Sequence, residues 1–245
     1  MKADSVANAI LPWTDDLFLH CQQLIRWVTD YVDLEESLAI GSVAQEELAH
    51  CNAVLEQSGC TPEERDWRIY TREPSNWFPS RLVLWGADDW PATVARGFLL
   101  THASLVAVAW LEERAGERLR KTAGVIGAEQ QLHARHWRRW VDILNRDSEE
   151  AELFGRYLAE TAALCDDFFG FPTGRGASLD PRAMHRAFLD AVGKELVELG
   201  VAVPALPAES VGRTPGGVGP ALAEHLVRVR KIRNDHPERV YGIYR

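Results

Sequence analysis

The chain has 245 residues, 46% of them apolar and 26% charged, with a formal net charge of −9. That is enough for one large or two small soluble domains with a real core. The acidic balance, with no Lys/Arg run interleaved with aromatics, lacks the footprint of a nucleic-acid binder, though a local basic patch for an anionic substrate is compatible with it.

No apolar run approaches ~20 residues, so no membrane-spanning helix is expected. Met1 to Ile10 lacks a basic n-region and an apolar core, so no signal peptide is expected. Four cysteines (Cys21, Cys51, Cys60, Cys165) form no close metal-type pair, and a cytoplasmic protein with reduced thiols is the default. Several of the nine tryptophans (Trp13, Trp67, Trp77, Trp85, Trp90) fall at junctions, where they cover a core edge or a partner surface.

In chain order, Pro12-Trp13-Thr14-Asp15-Asp16 reads as a helix start with Thr14 as N-cap and acids in the first turn. The first helix then runs from about Asp16 to Tyr31, with His20 near the apolar stripe of Leu17, Leu24 and Trp27. A second helix restarts at Asp33-Leu34-Glu35-Glu36 and continues to Gln57, closed by Ser58-Gly59. Residues 60 to 90 hold Pro62, Pro74 and Pro79 and read as a long ordered crossover with a short helix near Glu63 to Tyr70. Asp88-Asp89-Trp90-Pro91 starts a third helix running to about Ala115. Its residues 98 to 111 are apolar apart from Thr101, His102 and Ser104, as in a helix buried on most sides. The fourth helix follows a bend at Gly116 to Lys121 and ends near Leu144. Further helices are expected near 149–169, 180–200 and 218–233, separated by Gly170 to Ser178 and the Pro/Gly-rich Val203 to Pro220.

Four long helices with one long crossover predict an all-α fold, a ferritin-like four-helix bundle with additional C-terminal helices. The expectation is a single domain over 1–245, with the core bundle at about 14–146 and a helical extension at about 149–245.

The second helix carries Ala44-Gln45-Glu46-Glu47-Leu48-Ala49-His50. Glu47 and His50 are three residues apart and project from one face. With that spacing a helix offers a carboxylate and an imidazole to one metal ion, and carboxylate-bridged di-metal bundles use two such pairs. The fourth helix answers with Glu129, Gln130, His133 and His136, which can share a face; glutamine stands at the true Glu-x-x-His offset from His133. The candidate metal ligands are therefore Glu47, His50, Glu129 and His133, with His102 from the third helix and His20 from the first. Plainer readings compete. His102 reads also as a core histidine satisfied by Ser104 or a facing carboxylate, Asp16 as a first-turn acid, Glu46 as solvated, and His136 beside Arg135, Arg138 and Arg139 as surface. A Glu–His hydrogen-bond network accounts for Glu47, His50 and His133 without any metal.

The sequence resembles the phenylacetic-acid catabolic proteins, the A and C subunits of the bacterial ring-epoxidase acting on phenylacetyl-CoA. The resemblance rests on Glu47-Leu-Ala-His50, the apolar third helix and the His133 helix. It is closer to the C subunit at Asp15-Asp16-Leu17, Leu34-Glu35-Glu36, Leu38-Ala39, Val94-Ala95-Arg96 and Gly219-Pro220-Ala221-Leu222-Ala223-Glu224. It implies that the A subunit's di-iron ligands fall here on Glu47, His50 and His133, with Gln130 at the second Glu position, Thr101 at the Asp position beside His102, and Leu17 at the first Glu position between Asp16 and His20. The C subunit has lost most of these ligands and is a structural partner.

Three functions follow as expectations. The first is an oxygenase component with an altered di-metal site, holding two Fe ions or a Mn/Fe pair, in which Glu47 or Glu129 bridges and His50 and His133 bind terminally. Its substrate would be an aromatic or acyl-CoA compound, with Arg135, Arg138, Arg139 and Arg228 to Arg233 as sources of phosphate contacts. The second is a metal-free structural subunit beside a ligand-complete sister. The third is a stand-alone metal-dependent oxidase or hydroxylase. The expected partners are a homologous helical subunit or a second copy, and a reductase, with no nucleic acid and no membrane.

Overall fold

The computed structural model describes residues 5–29, 33–86, 89–171 and 179–235. Among these there is no strand; the elements are helices and irregular connections. The long ones are α1 (Ser5–Leu24), α2 (Leu34–Gln57), α5 (Trp90–Arg114) and α6 (Glu117–Leu144), with α1 packed on α2, α5 on α6, and the hairpins joined through α2–α6 and α1–α5 contacts. This is the ferritin-like bundle expected. The expected first-helix end at Tyr31, Asp88, most of the Gly170–Ser178 linker and the Arg233 side chain lie outside the described residues.

Local chemistry sets most boundaries. Asp33 caps α2 by accepting from the Glu36 N–H at 2.7 Å, and Gly59, at φ 92°, takes the left-handed conformation just past its end. Asp89 caps α5 by accepting from the Ala92 N–H at 2.9 Å, with Pro91 in the first turn. By length and composition α5 would pass for a membrane span. Instead 83% of its most apolar stretch lies inside the protein, because α7 (Ser148–Ala162) and α8 (Pro181–Glu198) cover the faces that α1 and α6 leave open. The bundle's tightest seam is at Gly97 of α5. A Cβ there would sit 2.5 Å from the Trp137 ring of α6, so only glycine lets that indole lie flat on the helix backbone.

The crossover contains α3 (Pro62–Asp66), which widens into a π-helical turn at Trp67–Thr71, and α4 (Arg81–Leu84). A further helix, α9 (Ala221–Asp235), follows the irregular strap at 201–220. Trp13, Trp77 and Trp90 are buried and seal core edges, whereas Trp67 stays 46% exposed.

The start of α1 differs from the expectation. The helix is already formed at Ser5 and passes through Pro12, and the Thr14 hydroxyl donates to the Leu11 carbonyl instead of capping. Asp15 and Asp16 are not first-turn acids; both are buried and satisfied by distant groups. Asp15 accepts from Arg72 Nη2 at 2.5 Å and the Phe78 N–H at 2.8 Å. Asp16 accepts from the Ser80 N–H at 2.7 Å and Arg213 Nη2 at 2.5 Å. Tertiary charge pairing, invisible in a local window, decides their role.

Arg213 is the hub of this second polar layer. Its side chain is 1% exposed and also donates to the carbonyls of Pro12, Phe78, Asp167 and Phe168. The strap carrying it runs against Asp166–Gly170, with the Val211 N–H on Asp166 O and the Arg213 N–H on Gly170 O. Gly170 is required because a Cβ would fall 1.9 Å from the Val211 carbonyl. Burial pushes the Asp16 carboxyl upward and Asp167 up to about 6, with the Arg213 charge opposing in both.

Removing one partner of a buried ion pair leaves the other uncompensated, at about 3–5 kcal/mol. Arg213→Ala is therefore expected to lower stability by that order, read as a drop in the urea midpoint. An unchanged midpoint would mean that the strap does not anchor α1.

Candidate functional site

The polar centre lies where α2 and α6 cross. Position 47 is on the inner face of α2, and position 50 is one turn further along the same face. On α6 the buried set Ile126, Gln130, His133, Trp137, Val141 recurs every three or four residues, which turns Gln130 and His133 toward α2. Glu47, His50, Gln130 and His133 are all at most 2% exposed.

The contacts form two layers. Inside, Glu47 Oε1 accepts from Gln130 Nε2 at 2.9 Å and from His133 Nδ1 at 3.2 Å. The second hydrogen of the Gln130 amide points to His50 Nδ1 at 3.3 Å. Outside, His50 Nε2 meets Glu129 Oε2 at 2.6 Å and His133 Nε2 meets Glu46 Oε2 at 2.6 Å. Glu46 and Glu129 are 39% and 38% exposed. His133 donates from both nitrogens and is an imidazolium. The His50 ring presents Nε2 to the Glu129 carboxylate and Nδ1 to the Gln130 amide. The ring centroids of the two histidines are 5.9 Å apart.

The electrostatics of Glu47 and His133 agree with an ion pair between them. Burial alone would raise the Glu47 carboxyl, but the His133 hydrogen bond and the charges of His133, His20 and His50 bring it down to about 2. Burial works against protonation of His133, yet the bonds to Glu47 and Glu46 outweigh it and raise its pKa. The interior charge is thus one carboxylate against one imidazolium.

Each anticipated residue has a definite place. Glu47, His50 and His133 converge. Glu129 sits on the outer nitrogen of His50 and does not face Glu47. His20 of α1 is 3% exposed, with Nε2 unpartnered and electrostatically coupled to Glu47. His102 does not join the cluster: Nδ1 bonds the Phe98 carbonyl at 2.8 Å and Nε2 bonds Glu195 of α8 at 2.8 Å. Glu46, read as solvated, holds the His133 ring. Its signal was its place beside Glu47, about 100° round the helix, within reach of a histidine's far nitrogen. Arg138 is paired with Glu195 and Glu198, which favours surface ion pairs over a phosphate site there.

The outer carboxylates orient the rings as second-layer carboxylates do for metal-bound histidines, with both Nδ1 atoms turned inward. The inner donor set does not fit two metals. A pair of divalent irons brings four positive charges, and bundles of this type meet them with four carboxylates and two histidines. Here the inner face presents one carboxylate, Glu47, with Gln130, Thr101 and Leu17 at the positions the resemblance assigns to the others. Glu47 Oε2, Gln130 Oε1, Thr101 Oγ1 and His20 Nε2 lack hydrogen-bond partners, but only the first carries charge. Among the described residues no three His, Cys, Asp or Glu side chains are arranged to hold a metal ion. The donor set does not match a di-iron centre.

Space points the same way. The cavity beside Glu47 and His20, closed by Trp13, Ala103 and Phe168, is about 10 Å³, room for one water; an apolar cavity that takes benzene is about 150 Å³.

His20 yields a pH test. Burial, aided by the charges of Arg96 and His133 and opposed by Glu47, lowers its pKa from 6.5 to about 4. The unfolded chain takes up a proton below pH 6.5 that the folded one refuses until about 4, so this group's contribution to stability falls on acidification through that window. The loss is on the order of 2 kcal/mol between pH 7 and pH 5. His20→Leu is expected to remove that part of the pH dependence in urea titrations; equal slopes for variant and parent would refute the assignment.

Comparison with protein families matches residues 2–239 to the phenylacetic acid catabolic protein family. A search of curated proteins returns no match.

Proposed function

The chain belongs to the phenylacetic acid catabolic protein family, and from that premise we propose that it is the supporting subunit of an oxygenase of phenylacetate-type catabolism. In this reading it docks beside a sister chain that carries the complete di-iron ligand set, and a reductase feeds the sister, all in the cytoplasm. The observation that carries the proposal is the Glu47 carboxylate. Its charge is balanced by His133, its Oε1 is filled by Gln130 and His133, and the glutamine amide ties it to His50. The cluster does for the bundle what a metal pair does in a ligand-complete chain: it joins α2 to α6 through polar contacts and satisfies groups that would otherwise be buried and unpaired.

The competing reading, an oxygenase subunit with its own altered di-metal site on an aromatic or acyl-CoA substrate, asks one buried carboxylate to balance two cations. It also needs a substrate cavity beside Glu47 far larger than about 10 Å³. The stand-alone oxidase meets the same two obstacles.

Metal analysis separates them. Chain purified aerobically from iron-supplied cells is expected to hold well under a tenth of an iron per chain, and to co-purify with a ligand-complete helical sister when the two are co-expressed. About two irons per chain, lost in His50→Ala, would overturn the proposal in favour of the oxygenase reading.

A further inference from the structure

The crossover carries a groove on the outside of the bundle that the polar centre does not use. At the end of α3 the helix widens: the Arg72 N–H reaches back five residues to the Trp67 carbonyl at 2.7 Å. Such π-turns interrupt the regular ladder and are frequent at functional sites. Here the turn presents Trp67 and Arg68 side by side. The indole is 46% exposed. The half-buried Arg68 guanidinium has no hydrogen-bond or ion-pair partner among the described residues.

Two adjoining cavities of about 380 Å³ and about 320 Å³ flank this pair and share Leu11, Trp67 and Arg68 as a common wall. Asn76 and Phe78 line the first, and Ser58 the second. The other charges lining the groove are already satisfied. Asp15 is bound by Arg72 and the Phe78 N–H. The Arg72 guanidinium lies 4.0 Å from the Trp77 ring. The Glu64 carboxylate accepts from the Thr61 N–H in a capping box. What remains unmatched among the described residues is one cation and one aromatic face.

We propose that this groove binds a nucleotide, its base stacked on Trp67 and its phosphate on Arg68. An aromatic face takes any base, and a guanidinium takes phosphate oxygens in a bidentate pair. Two compartments on either side of one Trp–Arg wall suit a ligand whose ring and anion are separate pieces; a small aryl carboxylate would fill one of them. The groove's volume lies within the range of ligand sites. The site is independent of the metal question and of the supporting-subunit reading.

Calorimetric titration of the full-length chain with AMP tests it. Saturable binding is expected, weakened about tenfold or more in Trp67→Ala and in Arg68→Gln, with adenosine alone and orthophosphate alone each weaker than AMP. Neither variant should disturb the fold, since one side chain is exposed and the other unpaired, and circular dichroism checks this. Absence of saturable binding, equal affinity in both variants and parent, orthophosphate binding as tightly as AMP, or benzoate binding more tightly than AMP would each overturn the proposal.

Discussion

Where the two helical hairpins of this protein meet, a buried carboxylate sits at the crossing of α2 and α6. Glu47 projects from α2 into the bundle interior, 1% exposed, and α6 supplies what it needs: an imidazolium from His133 and an amide from Gln130. A charge in that position without partners would be prohibitively costly. Moving either helix by one residue would turn Gln130 or His133 away and strand the acid. The register of α2 on α6 is set by this polar matching, while the Trp137 ring seated on Gly97 fixes α5 on α6. Glu46 and Glu129 hold the histidines from outside, so each ring is clamped at both nitrogens.

A second polar layer does comparable work at the other flank. Arg213 gathers Asp16 and four carbonyls from three separate parts of the chain, while Arg72 does the same for Asp15. The long crossover and the strap, both poor in regular structure, are ordered by these guanidinium groups. Apolar burial gives the bundle its mass; these ion pairs decide which irregular segment lies over which helix.

Local signals were legible in the sequence and long-range ones were not. The helix starts at Asp33 and Asp89, the stop at Gly59 and the burial of α5 on most sides rest on neighbours within one or two turns, and all stood out. Convergence of Glu47, His50 and His133 followed from helical spacing on two helices. The roles of Glu46 and Glu129 did not, because an offset of one residue, about 100° round the helix, decides whether a carboxylate meets the inner or the outer nitrogen of an imidazole. Pro12 misled, since a proline that suits a first turn was tolerated inside α1. Nothing near Asp16 announces its partner, which lies 197 residues away; nothing near His102 announces Glu195.

That separation has a consequence for biosynthesis. While the polypeptide emerges from the ribosome, the first helix is complete long before residue 213 exists, and until then Asp16 must stay hydrated. The N-terminal hairpin can form early, but its outer edge closes only when the strap arrives, after six of the other helices have been made. The final locking of the molecule is a late event of high contact order, and a nascent chain stalled before the strap would present an open, acidic flank for chaperones to meet.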